Sequence, residues 1–335
     1  MTSISYICPF THSELTEVDK GLMRKDGKIF PYLEVQQKGN PIPVFLDSGA
    51  MNQISDSLQA MYHQDNSEEV YNNFLKWLFE TFDVTEDEFR RFMISKLNVE
   101  EGSRVLVTGA GLGDDLPYIY SMMGRGGELY AQDLSPVMVT GMQKRVFRKI
   151  SSSSSTKLNN IFLSVGNAET LPFQDDFFDA GFHFGGINFY ENIRKAILEM
   201  NRVVRPGGKV VFGDEGVAPW LKEKQYGKMA ICNIKNWEAE VPLVHLPETC
   251  SKVNLTWLLG NCFYLVDFEV SDVLPYMNLD VPHKGNRGGT IRTRYFGQLE
   301  GIDPKLKAAV IEAAASKGES VYQWLEKVVS SALSK

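Results

Sequence analysis

Val105-Leu106-Val107-Thr108 runs directly into Gly109-Ala110-Gly111-Leu112-Gly113, and Asp133 ends the next apolar run. Glycines at alternate positions after a strand let the backbone turn tightly and approach a ligand more closely than a Cβ permits. With an acid at the following strand end, the spacing points to a nucleotide-type cofactor. A dinucleotide fingerprint, G-x-G-x-x-G, would need a glycine at position 114, where the chain has Asp114. A carboxylate there competes with a pyrophosphate for the same backbone donors, so a cationic ligand fits better and a nicotinamide dehydrogenase is disfavoured. Further along, Asp214 and Glu215 follow the apolar run Val210-Val211-Phe212. Either acid could serve as a base or orient a substrate hydroxyl or amine, and the alternative for each is to cap the next segment. His183 can move protons near neutral pH, although a lone strand histidine is more often a hydrogen-bonded structural group. Gly185-Gly186 then permits close backbone approach to a ligand.

Three ordered segments carry a wider pattern: the glycine loop with Leu129-Tyr130-Ala131-Gln132-Asp133-Leu134-Ser135; Gly166-Asn167-Ala168-Glu169-Thr170-Leu171-Pro172-Phe173, followed by Asp175 to Asp179; and Arg202-Val203-Val204-Arg205-Pro206-Gly207-Gly208. From about Val105 to Asp214 the chain resembles the class I S-adenosylmethionine methyltransferases, most closely the small-molecule branch with the ubiquinone and menaquinone C-methyltransferases. The resemblance implies S-adenosylmethionine as cofactor and S-adenosylhomocysteine as product. It implies that Gly109, Ala110, Gly111 and Gly113 hold the amino acid part, Asp133 the ribose and Asn167 the adenine, with Leu134 and Ala168 also lining the cofactor site. Phe184 completes the implied cofactor site, together with Tyr71 from a segment that in relatives closes over cofactor and substrate. Tyr62 in the same segment is a candidate substrate contact. Methyl transfer is a direct displacement on an already activated group, so the protein mainly aligns the nucleophile and removes a proton. Val107, Leu112 and Asn167 depart from the family pattern and motivate a rival reading, a non-catalytic scaffold or regulator; the intact glycines and Asp133 count against it.

The elements that must position these residues alternate as strands and helices: Arg104 to Thr108, Leu116 to Met123, Glu128 to Asp133, Val137 to Ile150, Ile161 to Val165, Phe178 to Phe184, Arg194 to Val204, and Lys209 to Gly213. Such alternation predicts an α/β fold, Rossmann-like, with a seven-stranded mostly parallel sheet and helices on both faces. Ligands then bind beyond the carboxyl ends of the strands, where Gly109, Asp133, Asn167, His183 and Asp214 converge. Around this core (99–215) we expect a β-rich subdomain (1–50), a helical lid segment (51–98), a substrate cap or dimer insertion after the fifth strand (216–260), closing strands (261–300) and a C-terminal helical region (301–335). The lid rests on an apolar stripe from Val70 to Leu97, for which plain packing on the core is the alternative. Ser151 to Ser155 reads as a connector without chemistry.

Cys262–Val270 and Thr290–Gly297 are the expected closing strands. Lys284, Arg287, Arg292 and Arg294 form a basic cluster, and on a strand Arg292 and Arg294 would share a face and could clamp an anionic substrate. A solvated edge strand is the alternative. Tyr6-Ile7-Cys8-Pro9 with Ile42-Pro43-Val44-Phe45 resembles the zinc ribbon at the front of some bacterial rRNA methyltransferases, but Cys8 and His12 are too few ligands, so we expect no metal.

At 335 residues, 43% hydrophobic and 23% charged, the chain can bury a full core. A net charge of −7 argues against a nucleic acid partner. The 4 cysteines, Cys8, Cys232, Cys250 and Cys262, lack C-x-x-C spacing and read as reduced thiols. With neither a membrane-length apolar run nor a signal-peptide pattern, the expected location is cytoplasmic, without a membrane span. The sequence thus predicts a methyltransferase acting on a small or medium-sized organic acceptor, with carbon, nitrogen and oxygen as open targets. A protein or RNA acceptor fits the acidic balance less well.

Overall fold

The computed structural model describes residues 6–35, 40–46, 67–124, 126–151, 159–284, 290–296, 299 and 302–334. Tyr62, Arg287 and most of the serine connector lie outside them. The chain forms two compact units, Met1–Leu274 and Pro275–Lys335.

The first unit is built on a seven-stranded sheet of order β6-β5-β4-β7-β8-β10-β9. Its strands are β4 (Arg104–Thr108), β5 (Glu128–Asp133), β6 (Ile161–Val165), β7 (Phe178–Phe184), β8 (Val204–Glu215), β9 (Ser251–Leu258) and β10 (Phe263–Glu269). The β6-β5-β4-β7-β8 stretch is parallel and the last two pairings are antiparallel. The inner strands are buried on both faces; Val105, Leu106 and Val107 are at most 2% exposed, which is why they read as unbroken apolar runs. Strand order reverses at β4, which lies between β5 and β7, and this switch point is where an open α/β sheet leaves a crevice.

Helices cover both faces. One face packs under α1 (Ser67–Phe82), α2 (Glu86–Ser95), α3 (Leu116–Met123) and α4 (Pro136–Ser151). The other packs under α5 (Ile193–Val203), whose Ala196, Ile197, Met200 and Val203 form a buried stripe at helical spacing. Ile197, Met200 and Val203 each contribute roughly 1.5–3 kcal/mol by leaving water, and Ala196 less. The stripe read as one lid segment is two helices. Asp83 has φ of 51°, and Thr85 accepts from the backbone N–H of Glu88 to cap α2.

The N-terminal segment, expected to be β-rich, forms a small antiparallel sheet of β1 (Thr16–Val18), β2 (Gly21–Met23) and β3 (Ile29–Pro31). A parallel bridge from Val44 to Val165 ties it to β6.

Two expectations at the far edge are corrected. β10 occupies the predicted Cys262–Val270 position, but its outer partner is β9, from the stretch assigned to the cap. Thr290–Gly297 is not a strand: Ile291–Phe296 forms helix α8, after the short α6 (Pro219–Lys222) and α7 (Gln225–Asn233) of the insertion. The strand face on which the clamp depended is therefore not formed there. Arg292 instead donates to both oxygens of Asp280, at 2.8 and 3.0 Å.

The second unit also contains α9 (Pro304–Ser316) and α10 (Val321–Leu333). Asp303 caps α9 with Pro304 in the first turn, Gly318 breaks the chain at φ of 66°, and Ser320 with Gln323 forms a capping box on α10. Among the described residues no helix is long and apolar enough to cross a membrane.

Candidate functional site

Gly109 and Gly111 need glycine for different reasons. Both have left-handed backbone, at φ of 57° and 54°. A Cβ on Gly109 would lie 2.8 Å from His183 Cε1, whereas one on Gly111 would meet nothing within 4 Å and would project into open space. The Gly111 N–H donates to Asp133 Oδ2 at 2.8 Å, and Ser135 N–H donates to Asp133 Oδ1 at 2.9 Å. Burial pushes the Asp133 carboxyl up, and these backbone donors pull it back. With Leu134 as a third backbone donor, the carboxylate keeps one lone pair for a ligand. Leu134 sits half-buried beside it. Gly166 N–H donates to Asp133 O at 2.9 Å and draws in the third turn, where Ala168 is buried and Asn167 Oδ1 accepts from Glu169 N–H at 2.8 Å. That bond spends one of the two lone pairs expected for adenine. The glycine loop, Asp133–Leu134 and Asn167–Ala168 thus come together at the carboxyl ends of β4, β5 and β6.

On the other side of the switch point, β7 and β8 supply the titratable groups. His183 is fully buried beneath Gly109, its Nδ1–H donating to Thr108 O at 2.9 Å. The tautomer follows from that carbonyl partner, and burial lowers the imidazole to about 4 and keeps it neutral. Asp214, 2% exposed, accepts from the backbone N–H of Asn188 and of Glu215, both at 2.8 Å. Burial pushes it up to about 6 against these bonds. It therefore holds the turn Gly185–Asn188, and Asn188 closes the loop by donating to Glu215 O at 2.9 Å.

Glu215 stands on the opposite face, half-buried. Burial and the neighbouring Asp214 push its carboxyl up to about 7. The Trp237 indole N–H, buried nearby without completing a hydrogen bond, offsets part of the rise. Beside it runs an aromatic wall: Phe89 against Phe184 at 5.4 Å between ring centres, Phe184 on Phe263 at 6.2 Å, and Trp237 edge-on to Phe263 at 5.6 Å.

Tyr71 lies on α1 among Arg90, Asp114 and Asp115, whose charges act on its hydroxyl, at the end of the glycine loop. Arg292 and Arg294 belong to the other unit, and the Arg294 side chain lies outside the described residues, as Tyr62 does. Sequence reasoning did not identify Asn188, Phe263 or the placement of Trp237 beside Glu215. The Trp237 indole was legible only as one of many aromatics in the insertion, and Asn188 carries no local signal. Among the described residues no group of His, Cys, Asp or Glu side chains has metal-site geometry.

Residues 106–212 match the family model of the methyltransferase domain, the stretch that contains the three turns described above. The chain is 34% identical over 124 residues to the ubiquinone/menaquinone biosynthesis C-methyltransferase UbiE of Pectobacterium carotovorum, covering 37% of this chain and 47% of that one. It is 30% identical over 164 residues to the demethylmenaquinone methyltransferase of Geobacillus sp., covering 48% and 61%. These matches therefore span from about half to three-fifths of the relatives' length. Among solved structures, phosphoethanolamine N-methyltransferase 2 of Haemonchus contortus aligns with a TM-score of 0.49 at 14% identity, over 69% of this chain and 61% of that one. The part of the chain that carries the glycine loop and Asp133 is similar to the methyltransferase domain.

Proposed function

We propose that the chain is an S-adenosylmethionine-dependent methyltransferase acting on a small organic acceptor. The observation that carries this reading is the bond from Gly111 N–H to Asp133, with open space on the Gly111 side, at the point where strand order reverses. Small backbone, oriented amides and a carboxylate with a remaining lone pair fit a cationic nucleoside cofactor. Asp133 would hold the ribose, the Gly109–Gly113 backbone the amino acid part, and Asn167 and Ala168 the base. When bound, the cofactor supplies a methyl group already activated by its sulfonium.

The chain's own contribution is alignment and proton handling. Glu215, ionising near neutrality beside the aromatic wall, is the group best placed to accept a proton from the acceptor or to balance positive charge on it. Asp214 and His183 act behind it. Asp214 fixes the Gly185–Asn188 turn, and His183 supports the glycine loop from beneath. Phe184, Phe263 and Trp237 exclude water and offer flat apolar surface to the acceptor.

Calorimetric titration with S-adenosylmethionine and S-adenosylhomocysteine, with NADH as comparator, tests the reading. Binding of the first two alone, followed by methyl transfer in an acceptor screen, is expected. A chain that ignores both sulfur nucleosides overturns the proposal, and one that binds them without turnover across the screen leaves a non-catalytic binder.

A further inference from the structure

Asp114, the residue that breaks the dinucleotide pattern, is 6% exposed. Arg145 of α4, 8% exposed, donates from Nη1 to both Asp114 oxygens, at 3.1 and 3.2 Å, and from Nη2 to Asn72 Oδ1 on α1 at 2.9 Å. One residue on, Asp115 accepts from Nη1 of Arg90 at 2.7 Å. Arg90 belongs to α2, is 4% exposed, and spends its Nε on Glu86 at 2.7 Å. Two adjacent carboxylates at the exit of the glycine loop are thus each paired with a buried arginine from a different helix.

Buried ion pairs are costly to desolvate, and their best-attested use is to fix one arrangement over others. Here the fixed arrangement is that of the loop. Its middle is held by Asp133 through Gly111, and its exit by Arg145 and Arg90. At this end α1 faces the loop across an open groove of about 630 Å³ lined in part by Asn72, Phe79, Asp114 and Arg145. The polar bridge Asn72–Arg145–Asp114 joins α1 to the loop there, beside Tyr71.

We propose that Arg145 and Arg90 are positioning residues for the cofactor loop: by pairing with Asp114 and Asp115 they tie its geometry to the docking of α1 and α2, so that helix docking and cofactor binding are linked. The inference rests on the methyltransferase reading. Linkage is reciprocal: S-adenosylhomocysteine must protect α1 and α2, and loosening the bridge must weaken S-adenosylhomocysteine.

The test combines calorimetric titration with S-adenosylhomocysteine and hydrogen exchange of α1 and α2, with and without it, on the full chain. Arg145→Met should weaken binding by about tenfold and speed exchange in α1, and Arg145→Lys should recover part of both. Lys209→Met breaks a different buried pair, Lys209–Asp267 at 2.9 Å between β8 and β10, and should leave the affinity within about twofold. Asn72 is exposed, so Asn72→Ala keeps the fold even where Arg145→Met does not; it should weaken binding about threefold and speed exchange in α1. Binding and exchange unmoved in Asn72→Ala and Arg145→Met, or an equal loss in Lys209→Met, overturns the coupling alone. A parent chain that does not bind S-adenosylhomocysteine overturns the methyltransferase reading, and the coupling falls with it.

Discussion

Asp133 and Glu215 are both strand-end carboxylates, and their surroundings give them different tasks. Burial pushes the Asp133 carboxyl up, and its ring of backbone N–H donors offsets part of that rise and fixes its orientation toward the open side of the loop. Glu215 has an acid and aromatic rings for neighbours, so its charge is disfavoured until about pH 7. Asp133→Ala should therefore weaken S-adenosylhomocysteine binding by roughly 10- to 100-fold in calorimetry, whereas Glu215→Gln should spare binding and reduce turnover. The same rise in pKa has two opposite readouts. Activity should climb as Glu215 deprotonates, with an inflection near 7 in kcat/KM that Glu215→Gln abolishes. Stability should move the other way. Glu215 and Asp214 have folded values above their unfolded ones, so their contribution is complete below the unfolded values and is lost as pH rises through about 6 and 7. Thermal melts from about pH 5 to about pH 8 should show Glu215→Gln gaining on the parent by on the order of 2 kcal/mol. A constant difference would mean that Glu215 is solvated. His183 is silent in this range, because burial holds it neutral down to about 4. At this scale the glycines and Asp133 were legible because their spacing is local. Arg145 was not, because it meets Asp114 from 31 residues away and an arginine on a helix has no periodic signature. His183 suggested proton transfer by residue type, and only burial reveals its bond to Thr108 O.

The elements were legible where one periodicity dominated. α3 and β4 to β6 fall on the predicted spans because their apolar runs are bounded by glycine or polar turns. The lid stripe concealed a break because apolar spacing continues across Asp83-Val84-Thr85, while the cap on α2 is a matter of one hydroxyl. Thr85→Ala removes that acceptor and should lower stability by about 1 kcal/mol, read by thermal denaturation, with faster exchange confined to the first turn of α2. Exchange unchanged there would mean that Glu86, Asp87 and Glu88 alone sustain the helix start. β9 carries a period-two signal in which Val253, Leu255 and Trp257 alternate with Lys252, Asn254 and Thr256. That stretch falls within the expected cap or dimer insertion, which left the outer closing strand expected in Thr290–Gly297. There the alternation of Arg292 and Arg294 imitates a strand, but the chain forms helix α8 with Arg292 drawn to Asp280.

At the scale of the molecule, the residues proposed for cofactor and proton handling fall in one of two units. Every described residue assigned here to cofactor or proton handling lies in Met1–Leu274, which also contains the whole sheet and both apolar layers. Among the described residues no strand from beyond Leu274 joins the sheet, because β9 rather than Thr290–Gly297 completes its edge. A chain ending at Leu274 should consequently bind S-adenosylhomocysteine within about twofold of the parent, since the loop, Asp133 and the two arginine pairs remain and distant sites act independently. Calorimetry on the shortened chain checks this, and loss of binding would show that Pro275–Lys335 contributes to the cofactor site. Turnover adds a second axis. If affinity survives but methyl transfer falls, Pro275–Lys335 contributes to the reaction beyond cofactor binding; if both survive, the second unit has a task separate from catalysis.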